Sequence, residues 1–212
     1  QRQMCIRDRG VIWKQLLIFF FPILVGSFFQ QLYNTVDSVI VGQFVGKEAL
    51  SSVGGSAGQI ISLVVGFFTG VSTGATVIIS QYFGAGKKEE IEESLHTAYA
   101  FALVGGLVLG IAGIVFAPQM LRWMNTPEEL IAESVLYVRV YFSGLIFIFI
   151  YNMGAAILRA VGDSKRPLYY LIVCSVVNII LDLLLILVIP LGVLGAAIAT
   201  LIAQAVSAVL VT

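Results

Sequence analysis

Apolar runs of membrane length, separated by short polar connections, cover the chain almost from end to end. Measured against the roughly 20 residues a helix needs to span a bilayer, the pattern predicts about six helices. They lie near 15–45, 50–82, 95–117, 134–158, 168–189 and 193–212. The first two exceed what a bilayer needs, so they tilt, bend or project beyond it. Pro22, inside the first, removes a backbone donor and crowds the preceding turn, which predicts a bend there. The expected fold class is all-α: a polytopic membrane protein built as a six-helix bundle.

Residues 1–10 are polar and aperiodic, unlike everything after them, and read as a leader foreign to the native protein. Residues 11–212 read as one bundle. The first span is too long for a signal peptide and carries no cleavage site. The sixth helix reaches Thr212 without a polar tail, as a chain cut at a domain edge would.

Composition supports lipid as the main solvent. Charged residues make up 11% and hydrophobic residues 59%, with a mean hydropathy of +1.00, whereas soluble domains carry about 25% charged residues. No helix has a basic face, which argues against nucleic acid. The net charge of zero hides a segregation. Arg2, Arg7, Arg9, Lys14, Lys87, Lys88, Arg159, Lys165 and Arg166 fall in one set of connections. Lys47 and Arg122 fall in the other, with Arg139 just inside the fourth span, nine against three. The positive-inside rule then places both termini in the cytoplasm of a cell-membrane protein, with or without the leader. Cys5 and Cys174 lie in a polar leader and an apolar span, so neither a disulfide nor a thiolate metal site is expected. His96 reads as an interfacial residue.

Of twelve acidic residues, only Asp37 and Asp182 interrupt apolar stretches. A carboxylate at the bilayer centre costs roughly 2.5–3.5 kcal/mol on the insertion scale. Two such residues predict a site that binds or moves a cation. Asp37, Asp182 and Thr200 each lie about eight residues from the outer end of their helices, hence at one depth about 12 Å below the surface. Asn178 stacks one turn from Asp182. Ser27, Gln30, Asn34 and Asp37 form a polar stripe, as do Thr200, Gln204 and Ser207. For Ser27, Gln204 and Ser207 the plain reading is hydrogen bonding between helices. A buried carboxylate is neutral with a proton or ionised beside a metal cation, and hard oxygen donors suit sodium or a proton.

Gly66, Gly70 and Gly74 recur every four residues, as do Gly42 with Gly46 and Gly106 with Gly110, patterns that allow close helix approach. The run Gly84 to Lys88 lacks the first Walker glycine and the following Ser or Thr, and reads as a helix end. Lys87 to Glu93 reads as a solvated helix surface.

Four segments together resemble the multidrug and toxic compound extrusion (MATE) transporters. They are Gln31–Gly42 (QLYNTVDSVIVG), Gly162–Pro167 (GDSKRP), Asn178–Asp182 (NIILD) and Gly195–Thr200 (GAAIAT). The similarity runs from about Val11 to the end. The resemblance implies twelve helices in two lobes of six, a cavity opening alternately to either side, and export of organic cations or amphiphiles driven by sodium or proton entry. By position, Asp37, Asn178, Asp182 and Thr200 match the cation-binding cluster of the amino-terminal lobe. Asn152 is a further candidate, Tyr137 and Asn34 are auxiliary ones, and Pro22 matches the proline at which the first helix bends. One lobe only is present, so the chain is expected to be a half-length fragment lacking its carboxy-terminal lobe.

The expected function is therefore antiport of a cationic or amphipathic drug against sodium or a proton, with no other cofactor and no catalysis. A lipid-linked precursor flippase of the same superfamily would need a basic central cavity, for which only Arg139 presents itself. A membrane-embedded enzyme would use Asp37 and Asp182 as an acid pair. A non-catalytic assembly subunit would tolerate replacement of both.

Overall fold

The computed structural model describes residues 12–212; the leader 1–10, with Cys5, lies outside the described residues. Helix α1 (Ile12–Ile40) continues into a π-helical turn, Val41–Val45. The short α2 (Lys47–Gly54) and long α3 (Ser56–Ala85) follow, then α4 (Lys88–Trp123), α5 (Glu128–Ser143) and α6 (Leu145–Ala160). Helix α7 (Lys165–Asp182) also ends in a π-helical turn, Leu183–Val188, before α8 (Val193–Val211).

Five segments are each long and apolar enough to cross a membrane, and α5 with α6 forms a sixth, bent by 48°. The single span expected over 134–158 is thus two helices, broken at Gly144. The span expected over 50–82 lies within one membrane-length segment, Lys47–Ala85, in which a turn at Gly55 separates α2 from α3. Pro22 sits inside α1, which runs helical on both sides of it.

The turn from α3 to α4 shows why the phosphate-like run is a helix end. Gly86 takes φ +71°, a left-handed value that suits glycine, and the amides of Gly86 and Lys87 close back on the carbonyls of Phe83 and Tyr82. Beyond it Lys87 pairs with Glu90 at 2.9 Å, both largely solvated, and exposed His96 faces Glu92 at 3.9 Å.

The core lies among α3, α4, α5, α6 and α8. Phe68 of α3 stacks on Phe149 of α6, ring centroids 3.4 Å apart. Glycines let α4 approach: a Cβ on Gly106 would meet the Ile146 backbone at 2.8 Å, and one on Gly113 would overlap the Phe142 ring. Gly66, Gly70 and Gly74 differ: a Cβ on any of them would meet nothing within 4 Å. The same sequence pattern therefore marks a packed face on α4 and an open one on α3. Helix α1 lies at the bundle's edge, packed chiefly against α7, with large apolar side chains such as Phe21 and Phe28 exposed.

Candidate functional site

The packing of α1 on α7 brings the two membrane aspartates together. Their carboxyl groups lie within interaction distance of each other. Asp182 is fully buried and Asp37 partly so. One turn before Asp182, buried Asn178 reaches α8, its Nδ2 donating to Thr200 Oγ1 at 3.5 Å. Helix α1 thus meets α7 at Asp182, and α8 meets it at Asn178, one turn away.

The oxygens here have an uneven supply of donors. Asp37 Oδ1, Asn178 Oδ1 and both carboxyl oxygens of Asp182 are buried without a hydrogen-bond donor among the described residues. Two facing carboxylates are acceptors only and repel while both are ionised. A proton held by one, or a small hard cation between them, turns the repulsion into attraction. The set contains oxygen alone, which fits sodium or a proton and not a soft metal.

Each aspartate is followed within four residues by a π-helical turn. The π-helical turn after Asp182 begins at the next residue, the one in α1 begins four residues after Asp37, and the two turns touch. A Cβ on Gly195 of α8 would meet the Leu185 carbonyl of the second turn at 3.0 Å, so this wall is closely packed. Such turns are frequent at functional sites.

A cavity of about 280 Å³ opens beside α1 and reaches down towards the connection between α6 and α7. Tyr33 and Tyr141 line it and also lie within electrostatic range of Asp37. Buried Tyr137, one turn from Tyr141, is within range of both aspartates. Asn152 lines the cavity and donates from Nδ2 to its own helix, at Ile148 O, 2.9 Å. Pro22 is buried and lines the same cavity. Asn34 is on the exposed side of α1.

Ser27 departs from expectation: it donates to Ile23 O of its own helix at 3.1 Å and so satisfies itself locally. Ser207 donates to Gln204 O of its own helix at 2.8 Å and also lies within hydrogen-bonding reach of Cys174 on α7, as a bridge between helices would. Cys174 is buried, its thiol donating to Ala203 O of α8 at 3.2 Å. Sequence reasoning missed Tyr33 and Tyr141, although Tyr33 sits four residues before Asp37 and Tyr141 four after Tyr137.

Comparison with known proteins gives the arrangement a family context. The MatE family model matches residues 22–184. The chain is 34% identical over 200 residues to the probable multidrug resistance protein YoeA of Bacillus subtilis, covering 92% of this chain and 43% of that protein. It is also 34% identical over 202 residues to YpnP of the same organism, covering 94% and 44%. Among solved structures, a MOP superfamily transporter from Pyrococcus furiosus, described for the reverse polarity of its binding pocket, superposes with a TM-score of 0.89 at 28% identity. That match covers 96% of this chain and 44% of the other. The chain thus spans a little under half the length of the relatives it matches.

Proposed function

The chain belongs to the MatE family of multidrug efflux transporters, and from that premise we propose that it is the ion-binding lobe of a secondary antiporter in the cell membrane. The lobe exchanges sodium or a proton at Asp37 and Asp182 for an amphipathic compound carried in the adjoining cavity. The observation that carries this reading is the pair of facing carboxyl groups whose buried oxygens lack donors.

The coupling follows from what holds α1 in place. Its main partner is α7, and the carboxyl pair sits on that contact. With an ion or proton between them, the carboxyl groups draw α1 onto α7. With both ionised and bare, they push it away. Pro22, which deprives its helix of one internal hydrogen bond, gives α1 a place to flex, and Pro22 lines the cavity. A change at the aspartates therefore alters the wall against which the substrate rests, so each ligand biases the affinity for the other.

The charge distribution supports one orientation: Lys14, Lys87, Lys88, Arg159, Lys165 and Arg166 lie at the helix ends opposite α2, which by the positive-inside rule favours a cytoplasmic location for that end and an outer-half location for the carboxyl pair. Thr200 and Asn178 complete the ion's oxygen shell. The open glycine stripe of α3 supports docking of a second six-helix unit, which completes the transport pathway.

The test uses the full-length protein in proteoliposomes with an imposed sodium or proton gradient. Asp37→Asn and Asp182→Asn should each abolish gradient-driven dye efflux while leaving expression and folding intact. Wild-type efflux in both variants overturns the reading.

A further inference from the structure

Among the described residues, one charged side chain lines the cavity beside Tyr33 and Tyr141: Arg159, in the last turn of α6, and no acidic residue lines it. We propose that Arg159 receives the acidic head, a carboxylate or phosphate, of an amphiphile whose apolar part rests in this cavity. The inference deepens the antiporter reading by naming the substrate's chemistry, and it rests on that reading only for the direction of travel.

Arg159 is half-buried yet has no ion pair, since the pairs among the described residues are Lys87–Glu90, His96–Glu92 and Arg166–Asp163. The nearest acid in sequence, Asp163, is fully engaged. Its Oδ2 takes Arg166 Nε at 3.1 Å, and its Oδ1 takes the amides of Lys165 and Arg166 at 3.1 and 3.2 Å. Asp37 and Asp182 interact with each other and are not among the residues that line the cavity. Tyr151, beside the guanidinium, donates its own proton to Pro167 O at 3.2 Å, so among the described residues Arg159 has no anionic partner.

A guanidinium cannot lose its proton in a protein, and taking it out of water is costly unless an anion meets it. Its planar fork matches two oxygens of a carboxylate or phosphate. The rest of the lining divides between apolar groups such as Leu168 and Leu171 and neutral donors such as Gln30 and Gln204. At about 280 Å³ the space is near the small end of ligand pockets, which run from roughly 300 Å³ upward. It suits a head and the first part of a tail. A guest bearing only positive charge would meet like charge here, so an acidic or zwitterionic amphiphile fits better than a simple organic cation.

The test is equilibrium binding to the full-length protein in phosphatidylcholine nanodiscs, without any ion gradient. The probes are undecanoic acid bearing a terminal dansyl group and the methyl ester of the same molecule. The wild type should bind the acid about tenfold more tightly than the ester. Arg159→Gln should bring the acid down to the ester's affinity and leave the ester unchanged, and Arg159→Lys should recover part of the difference. Equal wild-type affinity for acid and ester overturns the proposal, and so does an equal loss of both in Arg159→Gln. Were that variant misfolded, the wild-type acid-to-ester ratio alone decides. Competition by added phosphatidylglycerol would assign the acidic head to a membrane lipid, and lack of competition to a soluble amphiphile; either supports the site. Since binding is read without transport, loss of ion-driven efflux is scored separately and bears on the antiporter reading alone.

Discussion

The Nε of Arg139 on α5 donates to the backbone carbonyl of Ile114 on α4 at 3.2 Å. That carbonyl lacks its helical donor, because the residue four further on is Pro118, which has no N–H. Nothing in a bilayer core replaces a missing backbone hydrogen bond, so the freed carbonyl needs a protein partner. Arg139 is exposed on its helix, and the contact explains how a basic residue is kept within an apolar span.

This pairing predicts a thermodynamic cycle. Arg139→Ala should lower unfolding stability by about 1 kcal/mol, since it orphans the Ile114 carbonyl. Pro118→Ala gives the carbonyl its own helical donor, so in that background Arg139→Ala should cost almost nothing. Denaturant unfolding of the full-length protein in detergent checks both. Equal losses in the two backgrounds would break the link.

How much of this could be read in the sequence depends on contrast. Asp37 and Asp182 stood out because a carboxylate in an apolar run is conspicuous, and the interval from Asn178 to Asp182 put both on one face of α7. The all-helical membrane fold was legible for the same reason, through runs too long and too apolar for anything else. The break at Gly144 was hidden, because a hydropathy window averages straight across one glycine. Tyr33 and Tyr141 count as apolar in such a window, and their hydroxyls went unremarked. Arg159 in the sequence marks only topology, since its burial and its place in the cavity are properties of packing.

The two aspartates should act as a unit. If one ion or proton is shared between them, removing either carboxylate removes the site, and removing the second costs little more. Asp37→Asn, Asp182→Asn and the double variant should then show nearly the same loss of sodium- or proton-driven efflux. A double variant far weaker than either single would mean two independent sites.

Sodium and protons should compete. Both seek the same buried oxygens, so sodium binding weakens as pH falls and strengthens as it rises. Radioactive sodium binding to the full-length protein, compared near about pH 6 and about pH 8, should show the difference. In Asp182→Asn the pH dependence should flatten. Sodium binding that is constant across that range would point to an ion site elsewhere.

The glycines of α3 and α4 should respond in opposite ways to the same substitution. A Cβ on Gly106 would press on the Ile146 backbone at 2.8 Å, where no side chain can give way, so Gly106→Leu forces α4 off α6. The expected loss is about 1–3 kcal/mol or more, seen as poor expression and early unfolding. Gly70 meets nothing within 4 Å inside this lobe, so Gly70→Leu should leave the lobe's own unfolding unchanged. If the open stripe receives the second half of the transporter, Gly70→Leu should still reduce efflux and loosen the two halves, read by protease cleavage between them. Full efflux with Gly70→Leu would show that lipid, and not protein, covers that face of α3.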